Sequence, residues 1–169
     1  MNRVVVCLLI LLVLPFPCFA QRNTEPLNFR GIEWDTYYSA IPGMTKQYSR
    51  DEKIDVFKKS GDEMAIGNCK LDTLTYESFN GRIYKVNMTF SSCNPGQVFN
   101  MFKQKYGECT SVEDSLEQYI GTWNWKRVKL VFFIDVESSA SEITYTYKIT
   151  EREYETYLKE KAGAKKDQF

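Results

Sequence analysis

The stretch Lys70–Ser92, KLDTLTYESFNGRIYKVNMTFSS, decides the fold. Asn80-Gly81 lies between two runs rich in β-branched and aromatic residues, which is a strong short-range signal for a hairpin. In the second run Tyr84, Val86, Met88 and Phe90 alternate with Lys85, Asn87 and Thr89, so one face is buried and the other wet. Leu74 and Tyr76 are their natural partners in the first run. A two-residue turn pairs position 86 with position 75 and sets those partners on the wrong face. A three-residue loop with a glycine bulge is therefore expected, because it restores the parity. In either register Cys69 and Cys93 lie close together at the open end of the hairpin.

Downstream, a helix is punctuated at both ends. Asn94 suits the cap, Pro95 the first helical position and Gly107 the stop. Val98, Phe99, Phe102 and Tyr106 form one stripe at helical spacing. A rise of about 1.5 Å per residue puts Cys109 roughly 20 Å beyond Cys93, whereas a disulfide needs Cα atoms within about 7 Å. Cys69–Cys93 is therefore the expected bond, with Cys109 left as a free or intermolecular thiol. Residues 117–125, 128–136 and 142–149 read as a three-strand meander. Thr150 and Glu153 make a capping box for a closing helix over 151–161, and 162–169 reads as a disordered tail. Upstream, 44–50 and 53–59 can form a further hairpin, and 21–28 a flexible lead-in. The sum is a single α+β domain over 29–161. Its antiparallel sheet has five to seven strands, with two helices packed on one face.

Composition removes whole classes of function. The 169 residues carry 22 Lys+Arg, 22 Asp+Glu and no histidine. Serine–histidine and cysteine–histidine nucleophile pairs have no base, and histidine-bearing metal sites have no ligand. A balanced charge argues against nucleic acid, because phosphate neutralisation needs a surplus of Lys and Arg.

The N-terminus reads as an address. Arg3 precedes the apolar run Val4–Leu14, then Pro15 and Pro17, then Cys18-Phe19-Ala20. That is the layout of a secretory signal, residues 1–20, cleaved after Ala20. The run is about half of the ~20 residues a membrane span needs, so no transmembrane segment is expected in the mature chain. The expected location is periplasmic or secreted, where two of the cysteines can pair.

Phe29-Arg30-Gly31-Ile32-Glu33-Trp34 and the run Tyr76-Glu77-Ser78-Phe79-Asn80-Gly81-Arg82-Ile83-Tyr84-Lys85-Val86 carry a family likeness. With Lys105-Tyr106-Gly107, Trp123 and Tyr145-Thr146-Tyr147-Lys148, they resemble a group of uncharacterised exported bacterial α+β proteins. Asp35 stands where that group usually has glycine. The resemblance implies a bacterial envelope setting and brings no functional residue with it.

Chemistry is sparse. Carboxylates cluster at Glu33/Asp35, Asp51/Glu52/Asp55, Asp62/Glu63 and Glu113/Asp114/Glu117, and all read as solvated loop charges. Cys109 has no visible base to activate it. No catalytic residue, metal or cofactor is expected. Trp123 and Trp125 share one face of a strand, with Lys126-Arg127 at the following turn. Together with Tyr119 they are the candidate binding residues, because Trp, Tyr and Arg dominate interface hot spots. Burial of both tryptophans in the core is the competing expectation. The expected function is a non-catalytic binding or accessory protein of the bacterial envelope, with an envelope or secreted protein as partner. The alternatives are a carboxylate-dependent hydrolase acting on envelope polymers and a small inhibitor of a secreted enzyme.

Overall fold

A computed structural model of the protein describes residues 24–138 and 140–166, with side chains through residue 164. The expected signal sequence, the first three lead-in residues and the last three of the tail lie outside the described residues. The elements run β1 (Asn28–Phe29), β2 (Ile32–Glu33), a 3-10 turn (Tyr38–Ala40), β3 (Met44–Ser49), β4 (Ile54–Lys59), β5 (Ala65–Ile66) and β6 (Cys69–Lys70). Then come β7 (Thr73–Phe79), β8 (Arg82–Phe90), α1 (Pro95–Tyr106), β9 (Ser111–Asp114), β10 (Gln118–Asn124), β11 (Val128–Asp135), β12 (Ser141–Tyr147) and α2 (Lys148–Lys166). Eight strands form one antiparallel sheet in the order β3-β4-β7-β8-β12-β11-β10-β9. The class is α+β, and the sheet exceeds the expected five to seven strands. The extra edge strand, β9, is Ser-Val-Glu-Asp and exposed throughout, so it carries no alternation to read. β1–β2 and β5–β6 are separate two-stranded ribbons.

The central hairpin solves its parity problem differently from the expectation. Asn80 and Gly81 hold left-handed backbone, φ 50° and 81°, and close a tight two-residue turn with Phe79 opposite Arg82. The extra residue sits inside β8 instead. Ser78 opposes Ile83 and Glu77 opposes Lys85, so Tyr84 is the bulged residue. Beyond it, Tyr76 faces Val86 and Leu74 faces Met88, as the burial pattern demands. Asn-Gly takes the primed turn at low cost, so the mismatch moves into the strand.

The bulge gives the sheet two apolar patches on opposite faces. On the first face Val98, Phe99, Phe102 and Tyr106 of α1 pack over Val86, Met88, Trp123, Leu130, Phe132, Ile143 and Tyr145. Gly121 of β10 permits this, since a Cβ there would stand 2.5 Å from the Phe99 ring. On the second face Tyr154 and Tyr157 of α2 pack on Ile54, Phe79 and Tyr84. The expectation that both helices share one face is thus corrected. Periodicity gives each helix a stripe without saying which side of the sheet it meets.

Helix ends follow local chemistry. Asn94 caps α1 by accepting from the Gln97 amide, and Gly107, φ 80°, stops it. α2 begins at Lys148, ahead of the expected capping box, and continues to Lys166 through much of the expected tail. Thr150 is fully buried, and its hydroxyl donates to Asp35 Oδ1 at 2.6 Å. The lead-in is tied down from Glu25, whose carboxylate accepts from the amides of Arg127 and Val128. The Pro26 carbonyl takes the Trp34 indole N–H at 2.8 Å.

Cys69 and Cys93 are bonded, with Cα atoms 5.6 Å apart, which fastens the β5–β6 ribbon to the start of α1. The bond spans a sequence separation of 24. Loop closure of that length contributes about 3.5 kcal/mol on the chain-entropy model. Cys69→Ala/Cys93→Ala should therefore lower the urea midpoint correspondingly, and an unchanged midpoint would refute the tether. A second prediction concerns α2. Burial alone would raise the Asp51 carboxyl, but the Lys53 amide, the Tyr154 hydroxyl and the Ile54 amide hold it below its ordinary 3.8. A depressed folded-state pKa stabilises above the unfolded value and loses that effect as pH falls through the folded one. Protection of α2 amides should decline from about pH 4 downward, and Asp51→Asn should flatten that decline. A parental slope in Asp51→Asn would place the latch elsewhere.

Candidate functional site

The 119–127 hairpin does not present its aromatics. Trp123 is 0% exposed beneath α1, and its indole N–H donates to the Gly107 carbonyl at 2.8 Å. Trp125 is half-buried, edge-on to Tyr106 at 5.4 Å between ring centres. Tyr119 is half-buried, edge-on to Phe99 at 5.1 Å. Only Lys126 and Arg127 are exposed. The two tryptophans do share a face, and it is the core face. Arg127 instead borders a cleft of about 360 Å³ with Trp34, Tyr147, Leu27 and Glu33. It also pairs with Glu25 at 3.7 Å.

Several carboxylates are occupied as latches. Asp35 holds φ 70°, a left-handed conformation that Asp tolerates better than most residues. Its side chain binds Arg82 at 3.1 Å and the Thr150 hydroxyl, and Arg82 reaches on to Glu153 of α2. Asp62 binds Lys59 and the buried Tyr76 hydroxyl. Glu77, 6% exposed on the bulged face, is met by Arg50 at 3.0 Å, Asn87 at 2.8 Å and the Tyr84 hydroxyl. Glu52 takes Tyr157 and Lys161. Glu117, Asp135 and Glu137 border a shallow hollow. Asp135 there accepts the Ser138 and Glu137 amides and is held below the carboxylate range chiefly by Ser138. That direction is opposite to what a proton donor needs.

A second cleft lies between the β5–β6 ribbon, the β1–β2 turn and the C-terminal half of α1. Its volume is about 440 Å³. A smaller hollow of about 240 Å³ opens off it past Gly67 and Met101. The walls are Phe29, Ile66, Met88 and Phe102. The floor is Tyr106 and Tyr145, 6% and 4% exposed, whose hydroxyls meet at 3.0 Å. Among the described residues these two hydroxyls bond only to each other, so one of their two protons has no acceptor. Burial, reinforced by Tyr106, pushes the Tyr145 hydroxyl well above its usual pKa, so it stays a donor.

Two cations stand at the rim. The Arg30 guanidinium is fixed by the Glu63 carbonyl and, at 2.8 Å, by the Ala65 carbonyl. The Lys105 ammonium lies 5.1 Å from the Tyr106 ring centre. No Asp or Glu side chain lines the cleft. Sequence reading did not assemble this group, because its members come from a turn, a helix and a distant strand. Tyr106 and Tyr145 each carried a signal of their own, the helical stripe and the strand alternation, and both signals read as core.

Trp123 is therefore a structural residue. Trp123→Ala should cost about 3–5 kcal/mol in urea unfolding, as for other buried aromatics. Lys126→Ala should stay within about 0.5 kcal/mol of the parent. A Trp123→Ala variant as stable as the parent would return the indole to the surface. No family model matches the chain, and neither a curated protein nor a solved structure matches it, so the chemistry of the site is read from its own residues.

Proposed function

We propose that this protein is a non-catalytic binding protein of the bacterial envelope, and that it takes its ligand in the cleft between Arg30, Ile66, Lys105 and Tyr145. One observation carries the reading. The cleft brings together two rim cations and a buried hydroxyl with a proton left over, has no acid in its lining, and opens onto a smaller, mostly apolar hollow past Met101. Convergent polar groups beside an apolar hollow are a usual constitution of a ligand site. The Cys69–Cys93 bond suits an oxidising compartment, in keeping with the secretory layout of residues 1–20. A carboxylate-dependent hydrolase has less support. Asp51, Asp55 and Asp135 are displaced downward, and the acids of the sequence clusters that bond side chains do so as latches.

Methyl NMR tests the proposal. Ile66 and Met88 report on the cleft, and Val131 reports on the opposite face of the sheet. Screening a diverse fragment panel should give ligands with Kd on the order of a millimolar or below that shift Ile66 and Met88 together and leave Val131 unmoved. A panel that moves none of them, or moves Val131 as readily, would refute the cleft as the binding site.

A further inference from the structure

The donor and acceptor census of the cleft specifies a ligand class. Arg30 has five N–H donors, and its two bonds to the Glu63 and Ala65 carbonyls fix the guanidinium while leaving others available. Lys105 has three donors, and its contact with the Tyr106 ring uses none of them. The Tyr106–Tyr145 pair supplies one more hydroxyl proton. Acceptors are scarce by comparison. The side-chain oxygen of Asn28 already accepts from the Gly31 amide and the Ala65 carbonyl from Arg30, and no acceptor in the lining is charged. The chain as a whole is neutral, so two cations with no acid around one cleft is a local property.

Resting on the reading above, we infer that the ligand is an organic carboxylate with an apolar acyl or aryl body. The head group engages Arg30, Lys105 and the free tyrosine proton. The body lies along Ile66, Met101 and Phe102 in the adjoining smaller hollow. An ionised carboxylate only accepts hydrogen bonds and matches a guanidinium in two-point geometry. A sugar or a peptide brings donors of its own, and this lining offers them few partners. The buried tyrosine pair discriminates further. A ligand without an acceptor at its head would leave the spare tyrosine proton unpaired, the costly outcome for a buried donor, and a cationic head would meet Arg30 and Lys105 as like charges.

Octanoate and 1-octanol share an apolar chain and differ at the head. Titration of each into the intact protein, followed at the Ile66 and Met88 methyls, separates the two contributions. Octanoate should bind at least about tenfold more tightly than octanol, the scale of one charge-assisted hydrogen bond. Lys105→Gln, on an exposed helix surface, should remove about tenfold from octanoate and leave octanol unchanged, while Lys105→Arg should retain octanoate binding. Equal affinity for the two probes, or octanoate binding indifferent to Lys105→Gln, would overturn the carboxylate inference while leaving the cleft a binding site. Silence of both probes would also overturn it, and the fragment panel then decides whether the cleft falls as well.

Discussion

In a ladder of period two, one extra residue moves every side chain beyond it to the other face of the sheet. Tyr84 is that residue, and most of the architecture follows from where it sits. On the Met88 side of the bulge, Leu74, Tyr76, Val86 and Met88 face α1 and complete the larger core. On the turn side, Phe79 and Tyr84 face the other way and give α2 something to cover. Had the parity been restored in the turn itself, Tyr84 would have followed Val86 and Met88 onto the α1 face. The second core would then have lost a member, and with it one of the rings that Tyr154 contacts. The cost of the bulge is a buried carboxylate, Glu77, brought to the same face. Arg50, Asn87 and Tyr84 satisfy it together, which is the condition for keeping a charge inside.

The second core is small, and the chain supplements it with polar ties between distant segments. Asp35 bonds Thr150 at the start of α2, and Arg82 bridges from Asp35 to Glu153 one turn later. Asp51 and Glu52 receive the Tyr154 and Tyr157 hydroxyls from the same helix. Exposed ion pairs are individually weak. Here, however, they converge with tyrosine hydroxyls on residues already ordered by aromatic packing, so little further entropy is lost in making them. Tyr154 shows the economy: its ring contacts Phe79 and Tyr84 while its hydroxyl holds Asp51.

What the sequence disclosed, and what it withheld, divides along the range of the interaction. The α1 boundaries were legible in Asn94, Pro95 and Gly107, because caps act within one turn. The Cys69–Cys93 bond was legible because a hairpin brings its two open ends together whatever its register. The position of the bulge was not, since turn chemistry and strand parity each demanded something and only the packed ladder arbitrates between them. Thr150 and Glu153 looked like a cap, but tertiary contacts to Asp35 and Arg82 use those side chains instead. The candidate cleft was the least legible feature. Arg30, Lys105 and Tyr145 are about 40 to 115 positions apart in the chain, and although each lies in a stretch that carries the family likeness, nothing in those stretches points to a shared cleft.

The cleft is held open by ties that owe nothing to a ligand. The β5–β6 ribbon forms one wall, and two independent restraints fix it. The disulfide at Cys69 anchors it to the start of α1, and Arg30 anchors it through the Glu63 and Ala65 carbonyls. Gly67, φ 56°, turns the ribbon so tightly over α1 that a Cβ would lie 2.5 Å from the Met101 methyl. The floor is set by the core itself, since Tyr106 belongs to the α1 stripe and Tyr145 pairs with Val86 and Leu130 across the sheet. A site ordered before its ligand arrives loses less entropy on binding, so modest contacts suffice for useful affinity. The same rigidity would make the proposed site selective. Arg30 cannot swing away from a wrong head group without giving up its bonds to the Glu63 and Ala65 carbonyls.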